Sequence, residues 1–177
     1  MDQVVLVDAF DREIGVMEKM EAHEKALLHR AFSVFLFNQR GEMLLQQRAV
    51  SKYHSGGLWT NACCSHPRPG ERNIDAAIRR TYEELGFHPD IRHAFSFTYR
   101  AEFDNGLTEH EFDHVFVGRY QGPIRPDPSE VSAYCYKSMD AIRMELSTEP
   151  HLYTEWFKIA FHEVETHKDS VLNLPKP

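Results

Sequence analysis

The chain has 177 residues, 42% of them hydrophobic and 27% charged, and its formal net charge is −7. This length and balance are typical of a soluble globular protein, so we expect residues 1–177 to form one domain with a sizeable core. The charge is acidic, and like charges form no long runs. Nucleic acid is therefore disfavoured as a partner, because phosphate backbones are bound by clustered Lys and Arg.

The cysteines and the apolar pattern bear on the cellular compartment. Cys63, Cys64 and Cys135 make a poor disulfide framework, because adjacent cysteines rarely bridge and an odd number leaves a free thiol. The sequence shows no charged and then apolar leader, and no apolar run long enough to cross a bilayer. We therefore expect a cytoplasmic protein without a membrane partner. The oligomeric state stays open.

The predicted elements begin with strands. Two short strands, at 4–9 and 14–18, flank a turn at Asp11 and Arg12. Strands at 31–37 and 42–48 flank the loop 38–41, which ends in glycine as hairpin loops of four residues favour.

An amphipathic helix is predicted from residue 73 to about residue 85. Asn73 can cap its start, and Gly86 follows its end. One stripe of the helix carries small or apolar residues at helical spacing: Ile74, Ala77, Ile78, Thr81 and Leu85. At about 100° per residue, Arg80 and Glu84 share one flank of that stripe and Glu83 lies opposite it. The helix is expected to pack on a sheet and to expose a charged edge.

The second half of the chain adds strands and then helices. Strands are predicted at 95–101, 109–120 and 130–136, with a turn at 104–106 and a proline-rich loop at 122–128. Helices are predicted at 138–145 and 153–167. Because strands predominate before a helical C-terminal part, we expect an α+β fold, an α/β/α sandwich with a mixed sheet.

Two short stretches carry groups with acid/base or metal chemistry. The thiol of Cys64 stands two residues from the imidazole of His66, and Glu109 and Glu111 share one face of a strand. A thiol can exchange a proton, while imidazole and carboxylate groups can hold a metal ion. From spacing alone, a buried cysteine pair and a solvated strand face are the ordinary alternatives, and they stay open.

Further polar residues are candidates for ligand contacts. Arg48 and Lys52 lie four residues apart in a turn-prone segment, where they could capture an anion or simply face solvent. His23 and His29 are six residues apart, so they could share a site only if a loop or turn brought them together. Most aromatic residues are expected in the core, although one or two could form the wall of a pocket.

The stretch from Ser65 to Phe87 resembles a Nudix box, the strand-loop-helix-loop motif that binds diphosphate through Mg²⁺. The residues that match its spacing are Ser65, Glu71, Arg79, Arg80, Thr81, Glu83, Glu84, Gly86 and Phe87. The pattern expects glycine where Ser65 stands and glutamate where Arg80 stands. The second departure inverts a charge next to the metal, which argues against ordinary Nudix hydrolysis.

Nearly the whole chain, from Val4 to about His162, is similar to the type I isopentenyl diphosphate isomerases, which carry such an altered box. The segments that match this family are Glu18-Lys19, Ala22-His23, His29-x-Ala31-Phe32-Ser33, Gln47-Arg48-Ala49, Ser51-Lys52, Gly57-Leu58-Trp59-Thr60-Asn61, Cys63-Cys64-Ser65-His66-Pro67, Tyr99-Arg100-Ala101, Glu109-His110-Glu111 and Trp156. The combination of Cys-x-His-Pro with Glu-x-Glu is highly specific to that family.

The resemblance implies a Nudix-like mixed sheet flanked by helices, with an N-terminal strand extension. It places the catalytic thiol on Cys64 and the catalytic carboxylate on Glu111, with Tyr99 alongside. The implied metal site falls on His23, His29, His66, Glu109 and Glu111 and would hold Mn²⁺, Zn²⁺ or Mg²⁺. A second ion, Mg²⁺ bridging the diphosphate, falls on Glu84.

The implied partner is a small prenyl diphosphate. Its diphosphate contacts fall on four basic residues: Lys19, Arg48, Lys52 and Arg80. The last of these turns the inverted position of the box into a ligand contact. Trp156 is implied to wall the pocket of the prenyl group.

The implied reaction moves a double bond by one carbon and interconverts isopentenyl diphosphate and dimethylallyl diphosphate. The alkene must gain a proton on one face and lose one from the other, so two acid/base groups on opposite faces are needed. Cys64 and Glu111 with Tyr99 would supply them, and which of the two protonates stays open. An aromatic face such as that of Trp156 would stabilise a carbocation-like species by about 0.5–2 kcal/mol.

Three other interpretations remain. A Nudix-type diphosphate hydrolase would share the fold and the Mg²⁺ but would give Cys64 no role. A non-catalytic diphosphate-binding module would need neither Cys64 nor Glu111. A structural metalloprotein would bind metal at the His/Glu set without affinity for prenyl diphosphates.

Overall fold

The computed structural model describes residues 2–173. The elements, in chain order, are β1 (Gln3–Val7), β2 (Glu13–Glu18), α1 (Lys19–Glu24), β3 (His29–Phe37), β4 (Met43–Arg48), β5 (Trp59–Thr60), β6 (Cys63–Ser65), α2 (Asn73–Leu85), β7 (Asp90–Glu102), β8 (Thr108–Arg119), β9 (Val131–Lys137), α3 (Met139–Thr148), a 3₁₀ turn (Pro150–Leu152) and α4 (Glu155–Leu172). No helix within these residues has the length and apolar character needed to span a bilayer.

The central strand of the mixed sheet is β3. It runs parallel to β8 and antiparallel to β1, β4 and β6. Strand β7 pairs with β8, β2 with β1, and β9 with β4. In the parallel pair, His29 at the start of β3 lies opposite Glu111 of β8. This register brings two of the candidate metal ligands side by side.

Helices cover both faces of the sheet. Successive side chains of a strand point to opposite faces, and β3 accordingly contributes to two apolar clusters. Phe35 packs in the cluster that contains Phe157 of α4, and Val34 packs in the cluster that contains Leu85 of α2. The predicted α+β arrangement, an α/β/α sandwich with a mixed sheet, is confirmed.

The longer predicted elements are present, with ends that shift by a few residues. The prediction that Asn73 caps helix α2 is wrong. Arg72 occupies the N-cap position without a side-chain hydrogen bond, and Asn73 is the first helical residue. Gly86 follows the helix with φ of 79°, as its C-terminal position predicts. Sequence reasoning missed α1, β5 and β6, because segments of two to six residues are too short to show a period.

Candidate active site

Three side chains of the hairpin β7–β8 form the centre of the site. Tyr99 is paired with Glu111 in the strand register. Its hydroxyl oxygen lies 2.6 Å from Oε2 of Glu111 and 2.8 Å from Oε2 of Glu109. Both carboxylates are buried, and they share one face of β8 as the alternation of the strand predicts. The single hydroxyl proton of Tyr99 thus serves two carboxylates.

The histidines come from three different elements. His23 lies on α1, His29 begins β3 and His66 follows β6. The ring centroids of His23 and His29 are 4.8 Å apart, and those of His29 and His66 are 5.0 Å apart. The Nε2 atom of His66 lies 2.8 Å from Oε1 of Glu111. The turn after α1 therefore brings His23 and His29 together, which sequence spacing left open.

Backbone carbonyls orient two of these rings. Nδ1 of His23 donates to the carbonyl of Lys19 at 2.7 Å, and Nδ1 of His29 donates to the carbonyl of Leu27 at 2.8 Å. A carbonyl can only accept, so Nδ1 carries a proton, and in the neutral imidazole the lone pair is on Nε2. The Nε2 atoms of both residues are buried and have no hydrogen-bond partner. This tautomer, oriented by a backbone carbonyl, is the one that metal-binding histidines use.

The candidate ligand atoms form two overlapping groups. One consists of His23, His29, His66 and Glu111, and the other of His23, His54 and Glu109, with all ligand atoms of a group within 4.8 Å of one another. All five residues predicted for the His/Glu metal site belong to these groups. His54 was not singled out from the sequence.

Burial and mutual contacts set the charges of the site. Burial lowers the pKa of His66 to about 4, and burial also lowers the pKa of His23. Burial opposes ionisation of Glu111, but the adjacent imidazoles of His29 and His66 hold its pKa well below the usual range. Burial would lower the pKa of His29 as well, yet contact with Glu111 raises it. An ionised carboxylate among largely neutral imidazoles is an arrangement suited to a divalent cation.

Cys64 lies on β6 beside Ser33 of β3. Its thiol donates to Oδ1 of Asn61 at 2.9 Å and accepts from the indole Nε1 of Trp156 at 3.1 Å. Burial raises the pKa of the thiol, and the negative charge of Asp113 adds to the effect. The sulfur is therefore a protonated, oriented thiol. Cys63, the neighbouring cysteine, is fully buried in the apolar cluster on the other face of the sheet.

A third acidic residue of β8 was not singled out from the sequence. Asp113 is 1% exposed, and its Oδ2 accepts a hydrogen bond from Ser33 at 2.7 Å. Burial raises its pKa well above the usual range, and the charge of Glu111 acts in the same direction. Its position two residues beyond Glu111 was the available signal, because the same alternation relates Glu109 to Glu111.

The four predicted diphosphate contacts line one pocket together with Glu84. They are Lys19, Arg48, Lys52 and Arg80. Arg80 donates to Glu84 at 2.6 Å and approaches Glu130 at 3.4 Å, while Lys52 pairs with Glu130. Burial lowers the pKa of Lys19. Glu130 lies just before β9, and no motif or spacing in the sequence points to it.

A second pocket adjoins this basic one. It is lined by the acid/base candidates Cys64, Tyr99 and Glu111 and by Trp156. The two pockets share Arg48, Tyr53, Cys64, Ser65 and His66. A larger cavity, of about 610 Å³, lies between residues 54–58 and the β7–β8 turn, and none of the predicted site residues lines it. The basic pocket and the pocket of the acid/base candidates thus adjoin through the residues that they share.

Comparison with known proteins agrees with this geometry. A NUDIX domain model matches residues 27–157. The isopentenyl-diphosphate Delta-isomerase of Pectobacterium atrosepticum is 50% identical over 164 residues, which cover 93% of this chain and 92% of that protein. The isomerase of the same name from Burkholderia multivorans is 50% identical over 156 residues, covering 88% and 89%.

The chain belongs to the isopentenyl-diphosphate Delta-isomerase family of NUDIX proteins. Solved structures show the same fold at lower identity. A protein of Deinococcus radiodurans aligns with a TM-score of 0.76 at 17% identity, covering 92% of this chain and 98% of that one. A MutT protein from Methanosarcina mazei aligns with a TM-score of 0.65 at 18% identity, covering 78% and 94%.

The Nudix box of this isomerase-family chain is organised by ion pairs. Glu71 accepts from Arg79 at 2.8 Å through both carboxylate oxygens, so it braces the loop that precedes α2. Glu83 accepts from Arg80 at 2.8 Å and does not line the basic pocket. Glu84 does line it and also accepts from Gln46 at 2.9 Å. Glu84 thus lines the pocket that contains all four basic residues, whereas Glu83 lines a neighbouring cavity of about 350 Å³ with Lys19, Lys52 and Arg80.

Proposed function

We propose that this chain is an isopentenyl-diphosphate Delta-isomerase that interconverts isopentenyl diphosphate and dimethylallyl diphosphate. The observation that carries the proposal is that Cys64 and the Tyr99–Glu111 pair line one pocket, next to a second pocket lined by four basic residues. This is the arrangement that a diphosphate with a short alkene tail needs. The homologues that bear this name match most of the chain at about 50% identity.

The two acid/base candidates are assigned to the two faces of the alkene. Moving the double bond requires one proton to be added and another removed, through a species with carbocation character. The protonated thiol of Cys64 would serve one face, and Glu111 with the hydroxyl of Tyr99 would serve the other. Positioned proton transfer of this kind contributes about 10²–10⁴-fold to a rate.

The His/Glu cluster fits a divalent ion. Its strongest support is the pair of buried Nε2 atoms of His23 and His29, which make no hydrogen bond and belong to one group of candidate ligand atoms with Glu111. We propose Mn²⁺, Zn²⁺ or Mg²⁺ at His23, His29, His66, Glu109 and Glu111. Such an ion would fix the orientation of Glu111 and lower its affinity for a proton.

The basic pocket is assigned to the diphosphate. Lys19, Arg48, Lys52 and Arg80 would neutralise its charge, and Mg²⁺ at Glu84 would bridge its oxygens. Binding energy from this end would hold the small reacting group in place. Water would trap a carbocation. The aromatic rings of Trp156 and Tyr53 line the pocket and would exclude water from it.

The proposed partner is therefore a small molecule, the prenyl diphosphate. Nucleic acid is not a proposed partner, since the basic residues face a pocket and the net charge is −7. We further propose a cytoplasmic location, in keeping with the free thiols of Cys63, Cys64 and Cys135.

The test separates the isomerase from a Nudix-type hydrolase. Purified protein is incubated with isopentenyl diphosphate and Mg²⁺, and the mixture is followed by ¹H and ³¹P NMR. An isomerase yields the methyl signals of dimethylallyl diphosphate with an unchanged diphosphate. Release of inorganic phosphate or diphosphate without double-bond migration would instead establish the hydrolase.

A further inference from the structure

His54 reaches the His/Glu cluster from the loop between β4 and β5. Its side chain is 2% exposed, and its Nε2 atom lies 3.0 Å from Oε1 of Glu109. Its ring stacks on Phe103 with centroids 4.6 Å apart and meets the edge of Tyr53 at 4.4 Å. The imidazole is therefore buried and held by aromatic neighbours, with one nitrogen directed at a carboxylate.

The Nε2 atom of His54 is without a hydrogen bond. Although Oε1 of Glu109 is near, the two atoms are not aligned for one, and Nε2 is a buried atom without a partner. Nδ1 lies 3.2 Å from the hydroxyl of Ser55, which can accept its proton. In the tautomer with the proton on Nδ1, the lone pair of Nε2 faces a carboxylate oxygen. Two acceptors in a buried place repel each other unless a cation lies between or beside them.

The two carboxylates of β8 are arranged alike. In each, Oε2 faces the hydroxyl of Tyr99 and Oε1 faces an imidazole. His66 lies 2.8 Å from Oε1 of Glu111, and His54 lies 3.0 Å from Oε1 of Glu109. The position of His54 relative to Oε1 of Glu109 therefore resembles that of His66 relative to Oε1 of Glu111.

The two groups of ligand atoms cannot hold one ion each in full. Both groups include His23, whose Nδ1 is used by the carbonyl of Lys19 and whose Nε2 has a single lone pair. Only one ion can accept that lone pair. The two groups therefore meet at this nitrogen of His23, and the ligand atoms of His54 and Glu109 lie within 4.8 Å of the His23 ligand atom of their group.

We propose that Nε2 of His54 is a further protein ligand of the metal ion at the His/Glu centre. This inference rests on the metal centre proposed above. When the side chains of the two groups close around the shared nitrogen of His23, four imidazoles and two carboxylates would surround the ion, a set of six nitrogen and oxygen donors that suits an octahedral divalent ion. A centre filled by protein donors has no open position for substrate, so its role is to fix Glu111.

Metal binding by His54 would also affect the basic pocket, because of the position of His54 in the chain. Lys52, one of the diphosphate contacts, lies two residues before it in the same loop. A bond from the ion to His54 would tie this loop to β8. Metal binding would thereby prearrange the basic pocket before the diphosphate arrives.

The test uses Co²⁺ as the probe in metal-free wild-type protein, His54→Gln and the control His88→Gln. His88 is exposed and stacks on Tyr82, away from the cluster. Affinity is measured by competition with a coloured chelator, and the wild-type protein loaded with Co²⁺ is crystallised to locate the ion by anomalous scattering. We expect Nε2 of His54 at about 2.1 Å from the ion. We also expect affinity at least about tenfold weaker in His54→Gln and unchanged in His88→Gln.

Each outcome is decisive. An ion bound by the other residues, with His54 beyond bonding distance in the crystal, overturns the inference and leaves the proposed centre intact. If wild-type protein binds no Co²⁺, both this inference and the proposed centre are wrong, whereas the NMR conversion assay judges the isomerase separately. The crystal decides the question even if His54→Gln does not fold.

Discussion

The indole N–H of Trp156 points at the sulfur of Cys64, with 3.1 Å between Nε1 and Sγ. The same Nε1 atom lies 2.9 Å from the hydroxyl of Thr60. Trp156 lies in the first turn of the long helix α4, so this contact joins the helix on one face of the sheet to the short strand that carries the thiol. The thiol also donates a hydrogen bond to Asn61, so contacts with two side chains hold the sulfur in place. Its orientation is set by the fold before any substrate binds.

Replacing Trp156 by Phe tests that orientation. The change keeps an aromatic ring but removes the N–H donor, and a hydrogen bond of this kind contributes about 0.5–1.5 kcal/mol. We expect kcat to fall roughly 3–10-fold with little change in KM, because the phenylalanine ring can still face the guanidinium of Arg48, which lies 5.2 Å from the Trp156 ring centroid. Steady-state kinetics measure the split. An unchanged kcat would show that the indole N–H does not orient the reacting thiol.

The two adjacent cysteines should respond in opposite ways. Cys64→Ala removes the thiol that lines the pocket, and we expect turnover to fall by about 10²–10⁴-fold. Cys63 is 0% exposed in the apolar cluster beside α2. Cys63→Ala should keep most of the rate and instead lower the melting temperature, since it opens a small cavity. Turnover assays and thermal unfolding on both variants check this, and the reverse pattern would assign the reaction to Cys63.

Glu111 and Glu109 share Tyr99 but are assigned different tasks. Glu111→Gln keeps the shape and one oxygen ligand while removing the ionisable group. We expect a rate loss of about 10²–10⁴-fold with metal and diphosphate binding largely retained. Glu109→Gln should act mainly through metal affinity, so added metal should partly restore its activity. Rate and metal titrations on the two variants distinguish these effects, and normal turnover by Glu111→Gln would move the proton transfer to Tyr99.

Glu71 of the Nudix box is assigned a structural role. The hydrogen bond from Arg79 lowers its pKa below the ordinary value of 4.5. Because the folded state favours the ionised form, this pair stabilises the protein fully above that value, and the contribution is lost as pH falls through the lowered pKa.

We expect Glu71→Gln to be about 1 kcal/mol or less below wild type in stability at pH 7, since both side chains are partly exposed. The difference should vanish in acid. Urea unfolding at several pH values measures it, with the exposed residue Glu13 as a control in Glu13→Gln. A difference that persisted at low pH would mean that packing, not charge, explains the effect.

The long strands and helices that hold the site were predictable, because long elements show their period in the sequence, whereas the short α1 and β6, which carry His23 and Cys64, were not. Alternation along β8 placed Glu109 and Glu111 on one face, and the distance from Tyr99 to both confirms that they share it. The roles of the site residues depended on the family resemblance rather than on spacing. His54 and Glu130 were not predictable, because each lies in a loop, and their partners lie 55 and 78 residues away in sequence for His54–Glu109 and Glu130–Lys52.

Turnover in D₂O shows directly whether Cys64 and Glu111 transfer protons to and from the substrate. Isopentenyl diphosphate and Mg²⁺ are incubated with wild-type protein, Cys64→Ala and Glu111→Gln, and ¹H and ²H NMR follow the label. The acid/base groups of the pocket exchange with solvent, so we expect one deuterium in a methyl group of dimethylallyl diphosphate with wild type. We expect almost no labelled product with either variant. Unlabelled dimethylallyl diphosphate from the wild-type protein would contradict proton transfer through these residues.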